Sequence, residues 1–331
     1  MTDATMQAVR YHQRGGPEVL VLETIPRPVP APHEVLVRVE AAGVNFADVA
    51  QRGYGHYPVQ FPLPAIAGSE FIGTIEATGK NARVAVGQRV LGAWPGAGYA
   101  EYVALPSAAV FPVASDIAAS DALAIFIQGL TAHFALAQLG ALQPGDTVLI
   151  HGAAGGVGSM LVQLARALGA GSIIALASSA ENRGRARGYG ADVVIDGTRD
   201  DWATQARSAA EKGVDLVLDR SGGRAMLQSM ELLSPLGRCV VYGMAEEQHR
   251  DIPIEPLVAK GQSVHGLFLA LHMQLQPQRV GEALEQLVAL LRSGQLKPDL
   301  GGSFPLSQAA DAHRLLESRQ SFGKLILFPG G

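Results

Sequence analysis

Cysteine is almost absent from this chain, with one residue, Cys239, among 331. A single thiol excludes an intrachain disulfide and a thiolate zinc cluster. Its place in the apolar run Cys239-Val240-Val241 suits a small buried hydrophobe. Charge is also sparse: 17% of residues are charged and the formal net charge is −4, with a pI near 6.1. Phosphate-backbone recognition rests on a strongly basic surface, so nucleic acid is not expected as a partner. Nine histidines are present, yet none shows ligand-pair spacing on one helix, and His133, His151, His265 and His313 read as packed or surface residues. No run approaches the roughly 18 apolar residues of a membrane span. Met1 to Arg10 carries no apolar signal core. A cytoplasmic location without a membrane partner is expected. Internal repeats and low-complexity linkers are lacking too.

What remains is a hydrophobic content of 48% and 39 glycines, on a chain long enough for two domains. From Gln7 to Leu105 short strand-like runs dominate: Val19-Leu20-Val21-Leu22, Glu34 to Val39 and Arg89-Val90-Leu91. Pro and Gly punctuate them, as in Pro26 to Pro30 and Pro58 to Pro64, which predicts a small irregular β-barrel-like domain. Near Leu123 the composition turns to helix formers, Ala/Leu-rich from Ala122 to Ala141.

Pro144-Gly145-Asp146 then launches the apolar run Thr147-Val148-Leu149-Ile150, which reads as a buried strand. Behind the glycine-rich segment His151 to Ser159, Val157, Leu161, Leu164, Ala165 and Leu168 recur at helical spacing until Gly169. The segment is therefore a strand-to-helix turn. It carries Ala153-x-Gly155-x-x-Gly158, the dinucleotide fingerprint with Ala at its first position. A second strand at Ser172 to Ala177 completes a βαβ unit. Gly155, Gly156, Val157 and Gly158 would let a pyrophosphate approach the backbone and rest on unpaired N–H groups. An acid that would hold the ribose 2′-OH of NAD is missing at the second strand's end, which reads Ala177-Ser178-Ser179. Arg183, Arg185 and Arg187 follow, leaving room and positive charge for the 2′-phosphate of NADP.

Further runs at Asp192 to Ile195, Asp215 to Asp219, Arg238 to Tyr242 and Ser263 to Leu269 alternate with helical patterns beginning near Asp200 and Gly223. Alternation of this kind predicts an α/β fold, a doubly wound parallel sheet of six strands. In the tail, Val280, Ala283, Leu284, Leu287, Val288 and Leu291 mark an amphipathic helix. Ser307 caps another running towards Leu316, and Lys324 to Leu327 forms a closing strand. These elements are expected to pack on the first domain. The expected boundaries are 1–124, rejoined by 266–331, and 125–265.

Seven segments together resemble the zinc-independent, quinone oxidoreductase (zeta-crystallin-like) branch of the medium-chain dehydrogenase/reductases. They are Gly16-Pro17-Glu18-Val19-Leu20, Glu34 to Val37, Gly43 to Asp48, Gly98 to Tyr102, Gln128 to Ala132, Gly152 to Gly158 and Gly323-Lys324. The resemblance covers nearly the whole chain. It implies a GroES-like β-barrel domain built from both ends, a Rossmann domain between them and NADPH bound in the cleft. In the zinc-dependent relatives a Cys stands at the position of Asn45 and a His at Ser69. Asn and Ser are poor zinc ligands, so no metal is expected.

Without a Lewis acid a simple alcohol is a poor substrate. A quinone or α,β-unsaturated carbonyl instead spreads incoming charge onto oxygen, where hydrogen-bond donors meet it. By resemblance Asn45 lies beside the nicotinamide, Tyr54 and Tyr57 fall in the substrate-side loop, and Thr131 lies near the nicotinamide, a helix-start cap being its plainer reading. Ser178, Ser179, Asn182, Arg183, Tyr242, Gly243 and Lys324 occupy positions resembling coenzyme contacts. Family members place a Lys at Asn182 and a Tyr at Gly197, and both departures weaken the preference for NADPH over NADH. The run from Ser263 to Leu269 would expose strand hydrogen bonds on a monomer, and in the family this edge pairs with a second copy, so a homodimer is expected. The expected activity is NADPH:quinone oxidoreductase-like. The alternatives are an enoyl reductase on thioesters or enones, and, from another class, a nucleotide-binding structural or RNA-binding protein without significant turnover.

Overall fold

The structure, a computed structural model, describes residues 4–53, 58, 61–245 and 251–330. The chain forms two compact units, one from Met1–Ile127 with Asp299–Gly331, the other from Gln128–Pro298.

The second unit is built on six parallel strands in the order Val193–Asp196, Ser172–Ala177, Thr147–His151, Val214–Asp219, Leu233–Val241, Ser263–Gly266. Strands buried on both faces read as continuous apolar runs, and Val148, Leu149, Ile150, Ile174, Leu216 and Val217 are all fully buried. Cys239 sits among them; burial pushes its thiol well up, so it stays protonated. The strand order reverses between Thr147–His151 and Val214–Asp219. Ligands of open α/β sheets bind beyond the carboxyl ends of the strands at such a switch point.

The helix Pro277–Arg292 belongs to this unit. Its apolar stripe Val280, Ala283, Leu284 and Leu287 is buried, and its Gln286 Oε1 meets His133 Nε2 at 2.9 Å. The expected return to the first domain at 266 thus falls at 299. An amphipathic stripe states that a helix needs a partner but not which one.

In the first unit Glu34–Val44 is the central strand, paired with Glu70–Thr78, Tyr102–Pro106 and Lys324–Phe328, all antiparallel. The sheet extends through Arg89–Ala93 to Val110–Pro112 on one side and to Leu300–Pro305 on the other. A three-stranded sheet combines Val21–Pro26, Thr5–Tyr11 and Ala65–Ile66. Two local expectations are corrected. Val19 closes a short turn, Pro17–Val19, begun by Pro17 with its preset φ, and the strand starts at Val21. Ser307 lies inside a tight turn, Leu306–Gln308, and the following helix is Ala309–Glu317 with Gln308 at its cap.

The stretch Ala119–Leu139 is helical over 21 residues, long and apolar enough by length and composition to cross a membrane, and 78% of the relevant window is buried inside the protein. Asp121, Gln128 and Thr131 interrupt the apolar run in the sequence but not the helix, which corrects the expectation that no segment approaches such a length.

Candidate functional site

At the carboxyl edge of the parallel sheet, Gly152 takes φ +62°, a left-handed conformation that suits glycine. The turn closes through Gly155 N–H to Gly152 O at 2.9 Å, while Ala153 N–H donates to Leu176 O at 3.0 Å. The helix Gly156–Ala167 then starts with Gly155 at its cap and no side chain capping it. Its first N–H groups lack intrahelical acceptors and carry the positive end of the helix dipole. A Cβ at Gly158 would stand 2.1 Å from Gly152 O, and one at Gly156 2.1 Å from Gln128 Nε2. Glycine is therefore required at 158, where the obstacle is backbone, while at 156 the obstacle is the end of the Gln128 side chain.

Next along the edge, Ser178 is exposed. Ser179 caps the helix Ala180–Gly188 by accepting from Asn182 N–H at 3.1 Å. Asn182 is buried. Arg183 Nη1 lies 2.8 Å from Asp196 Oδ2 and donates to Ser178 O at 3.0 Å. At the fifth strand's end Tyr242 donates its backbone N–H to Asp219 O at 2.9 Å, and its hydroxyl reaches His151 O at 3.4 Å. Burial pushes its phenol above the usual range. A side chain at Gly243 would meet Arg220 O at 2.5 Å. Thr131 is 8% exposed and lies inside the continuous helix, so it caps no helix start.

His151, read from the sequence as a packed or surface residue, is buried beside Ser229 and Asp219. His151 Nε2 stands 2.7 Å from Ser229 Oγ, and Nδ1 3.7 Å from Asp219 Oδ2. The types match a hydrolytic triad, but Ser229 and Asp219 are both 0% exposed. Ser229 spends its proton on Ala225 O at 2.9 Å. Asp219 accepts from Ser221 N–H at 2.9 Å and Gly222 N–H at 2.7 Å, ordering the turn after its strand. The set braces the sheet edge and offers no nucleophile.

In the first unit Asn45 is buried, and both ends of its amide are held. Nδ2 donates to Glu70 Oε2 at 3.0 Å, and Oδ1 accepts from Lys324 Nζ at 3.1 Å. Lys324 and Glu70 form a direct ion pair, 1% and 0% exposed at the side chain. Gly43 makes room for it, since a Cβ there would overlap Glu70 Oε2 and approach Lys324 Nζ to 2.7 Å. Glu70 Oε1 also accepts from Ile127 N–H at 3.0 Å. Lys324, which the resemblance offered as a coenzyme contact, thus has its ammonium engaged inside the first unit.

Beside this triad Asp48 accepts from Asn45 N–H at 2.9 Å, Ser69 Oγ at 3.1 Å and Tyr99 OH at 3.2 Å. Burial lifts its carboxyl to about 6, against the hydrogen bonds from Asn45 and Ser69 and the Lys324 charge. Tyr99 OH in turn lies 3.0 Å from His313 Nε2, and His313 Nδ1 3.2 Å from Arg52 Nη1. Arg52 reaches Glu317 at the surface. Burial, reinforced by Arg52, lowers His313 to about 3. A neutral ring then accepts from Arg52 at Nδ1 and donates through Nε2–H to Tyr99, whose own proton goes to Asp48. None of Asp48, Tyr99, Arg52 and His313 had been singled out as part of a site; partners up to 261 positions apart, as for Arg52 and His313, leave no periodic trace. Tyr54 and Tyr57 lie outside the described residues. Among the described residues no group of three or more His, Cys, Asp or Glu is gathered that could hold a metal ion.

Two family models match the chain: the alcohol dehydrogenase GroES-like domain over residues 31–115 and the zinc-binding dehydrogenase domain over residues 156–289. It is 32% identical to a 2-haloacrylate reductase from Burkholderia, over 98% of this chain and 99% of that one. With human quinone oxidoreductase it shares 33% identity, over 97% of each. The fold is also similar to that of Escherichia coli quinone oxidoreductase complexed with NADPH, with a TM-score of 0.89 and 28% identity over 98% of this chain and all of the other. The chain belongs to the medium-chain dehydrogenase/reductases of the quinone oxidoreductase type, with a GroES-like domain and a parallel-sheet domain, and is an oxidoreductase enzyme.

Proposed function

We propose that the protein reduces quinones or activated α,β-unsaturated carbonyls with NADPH, by hydride transfer and without zinc. The observation that carries this reading is the state of Asn45: a carboxamide clamped between Glu70 and Lys324 where zinc-dependent relatives have a thiolate. Zinc does not fit the neighbouring groups. Ser69 donates its hydroxyl to Asp48, and the Glu70 carboxylate is already neutralised by an ammonium. Zinc prefers thiolate and imidazole.

A dinucleotide does fit the second unit. The uncapped start of the helix Gly156–Ala167 offers N–H donors to a diphosphate, and Gly155, Gly156 and Gly158 keep the approach clear. When bound, NADPH supplies the hydride from nicotinamide C4. The chain's residues hold and orient it and stabilise the oxygen onto which charge moves. Asn45, with one amide hydrogen committed to Glu70, keeps a second for a carbonyl oxygen. By resemblance, Tyr54 and Tyr57 are the proposed donors from the substrate-side loop. The relative named as a 2-haloacrylate reductase favours an activated alkene as a second acceptor class, which keeps the enoyl-type reading open.

Two copies are proposed to pair along Ser263–Gly266, the last strand of the six-stranded sheet. On the helix Ile254–Lys260, Ile254 is 69% and Val258 79% exposed, apolar surface that a second copy would cover.

The test is the loss of NADPH absorbance on mixing the protein with a small quinone, an enone or a 2-haloacrylate. Oxidation of NADPH with at least one acceptor is expected. Measurable NADPH binding with no oxidation by any of the three overturns the reading in favour of a non-catalytic nucleotide-binding protein.

A further inference from the structure

The corner of the second unit that would meet the adenosine ribose contains a carboxylate supplied by an unexpected strand. Asp196 ends Val193–Asp196 and is the direct register partner of Ala177, the last residue of Ser172–Ala177. An acid at the end of the second strand recognises the ribose 2′-OH in NAD-binding folds. Here that place is held by Ala177, and the carboxylate sits one strand over. Its Oδ1 is fixed by Thr198 N–H at 3.0 Å and Thr198 Oγ1 at 2.6 Å. Its Oδ2 pairs with Arg183 Nη1 at 2.8 Å, with side-chain exposures of 25% and 24%. The hydrogen bonds from Thr198, with help from Arg183 and Arg199, hold Asp196 below the usual carboxylate range.

Arg183 is therefore not a free cation. Its Nη1 is shared between Asp196 and the Ser178 carbonyl. Arg185, two residues on, pairs with Glu181 at 2.9 Å. Ser179 Oγ accepts from Asn182 N–H as the cap of the helix Ala180–Gly188. Arg183 and Asp196 thus present a nearly neutral ion pair at this corner. A ribose 2′-hydroxyl can donate to a carboxylate, whereas a 2′-phosphate is repelled by one.

We propose that Asp196 is the coenzyme-selectivity residue: it restrains Arg183 and accepts the ribose hydroxyl, so that the protein discriminates only weakly between a 2′-phosphate and a 2′-hydroxyl. This rests on the coenzyme reading above.

Calorimetric titration of the full chain with 2′,5′-ADP and with 5′-AMP isolates this corner from the rest of the coenzyme. The wild type should bind the two fragments within about tenfold of each other. Asp196→Asn keeps an acceptor for Thr198 and removes the charge, and should shift the affinity ratio about tenfold or more towards 2′,5′-ADP, the size expected for releasing one charge-assisted contact. Arg183→Gln should lower that ratio by less than about threefold in the wild type and by about tenfold in the Asp196→Asn background. A ratio unmoved by Asp196→Asn overturns the inference, and so does a tenfold fall from Arg183→Gln alone, since Arg183 would then serve the phosphate unhindered. If neither fragment nor NADPH binds the wild type, the coenzyme reading itself fails. Binding of both fragments with a ratio indifferent to residue 196 fails this inference only.

Discussion

Lys324 and Glu70, 254 positions apart in the chain, meet as an ion pair in the interior of the first unit. Each also holds one end of the Asn45 amide. A buried pair of this kind stabilises little against an apolar pair of similar volume, but breaking it strands a charge. Lys324→Met should therefore cost about 3–5 kcal/mol, read as a lower denaturant midpoint. Adding Glu70→Gln should restore most of that loss, since its oxygen can still accept from Ile127 N–H and its NH2 can donate to Asn45 once that amide, freed of Lys324, turns over. A double variant no more stable than Lys324→Met would show that the charge balance is not what matters.

Stability between pH 4 and pH 6 should hold two opposed slopes. Asp48 is raised to about 6 in the folded chain, so it takes up its proton before the unfolded chain does. Its contribution is present at low pH and lost as pH rises from about 4 to about 6. His313 is lowered to about 3, so its contribution is present above its ordinary value and lost as pH falls from about 6.5. Each titration is worth at most about 1.4 kcal/mol per pH unit. Relative to wild type, Asp48→Asn should lose stability more steeply as pH is lowered through this window, and His313→Gln less steeply. Urea denaturation at pH 4, 5, 6 and 7 reads both slopes, and parallel profiles for all three proteins would refute the assignment.

At the glycine turn the two tight positions should differ in cost. A methyl at Gly158 runs into the Gly152 carbonyl, which is backbone, while one at Gly156 runs into the Gln128 amide, the end of a flexible side chain. Gly158→Ala should destabilise by about 1–3 kcal/mol and weaken NADPH binding at least about tenfold. Gly156→Ala should weaken binding while leaving the melting temperature within a few degrees of wild type. The reverse order of stabilities would contradict the turn geometry.

Metal analysis of the purified protein should find zinc well below one equivalent per chain, and chelation should leave quinone reduction unchanged. Neither Asn45 nor Ser69 is a strong ligand. A full equivalent of tightly held zinc, or activity lost on chelation and recovered with zinc, would replace the proposed chemistry.

Local patterns made much of this legible from residues alone. The apolar run ending at Ile150, the glycines from 152 to 158 and the spacing from Val157 to Leu168 each report a conformation set by near neighbours, and together they describe the strand, turn and helix observed. The alternation that follows was enough for six strands. Less legible was the helix Pro277–Arg292, whose stripe was plain but whose partner was not. The tight turn containing Ser307 was missed because a good capping residue marks a possible start, and the turn of Leu306–Gln308 absorbs it.

Sequence by itself determined the doubly wound sheet, the glycine turn and the chemical character of residues 45 and 69, because backbone geometry and ligand chemistry depend on residue type and short spacing. Only the tertiary structure decided that Lys324 neutralises Glu70, that His313 stands between Tyr99 and Arg52, and that Asp196 holds Arg183. Each of these is a pairing of polar groups brought together by chain crossings. Such pairings carry no periodic signal, since a charged side chain looks the same in the sequence whether it meets solvent, a ligand or an opposite charge.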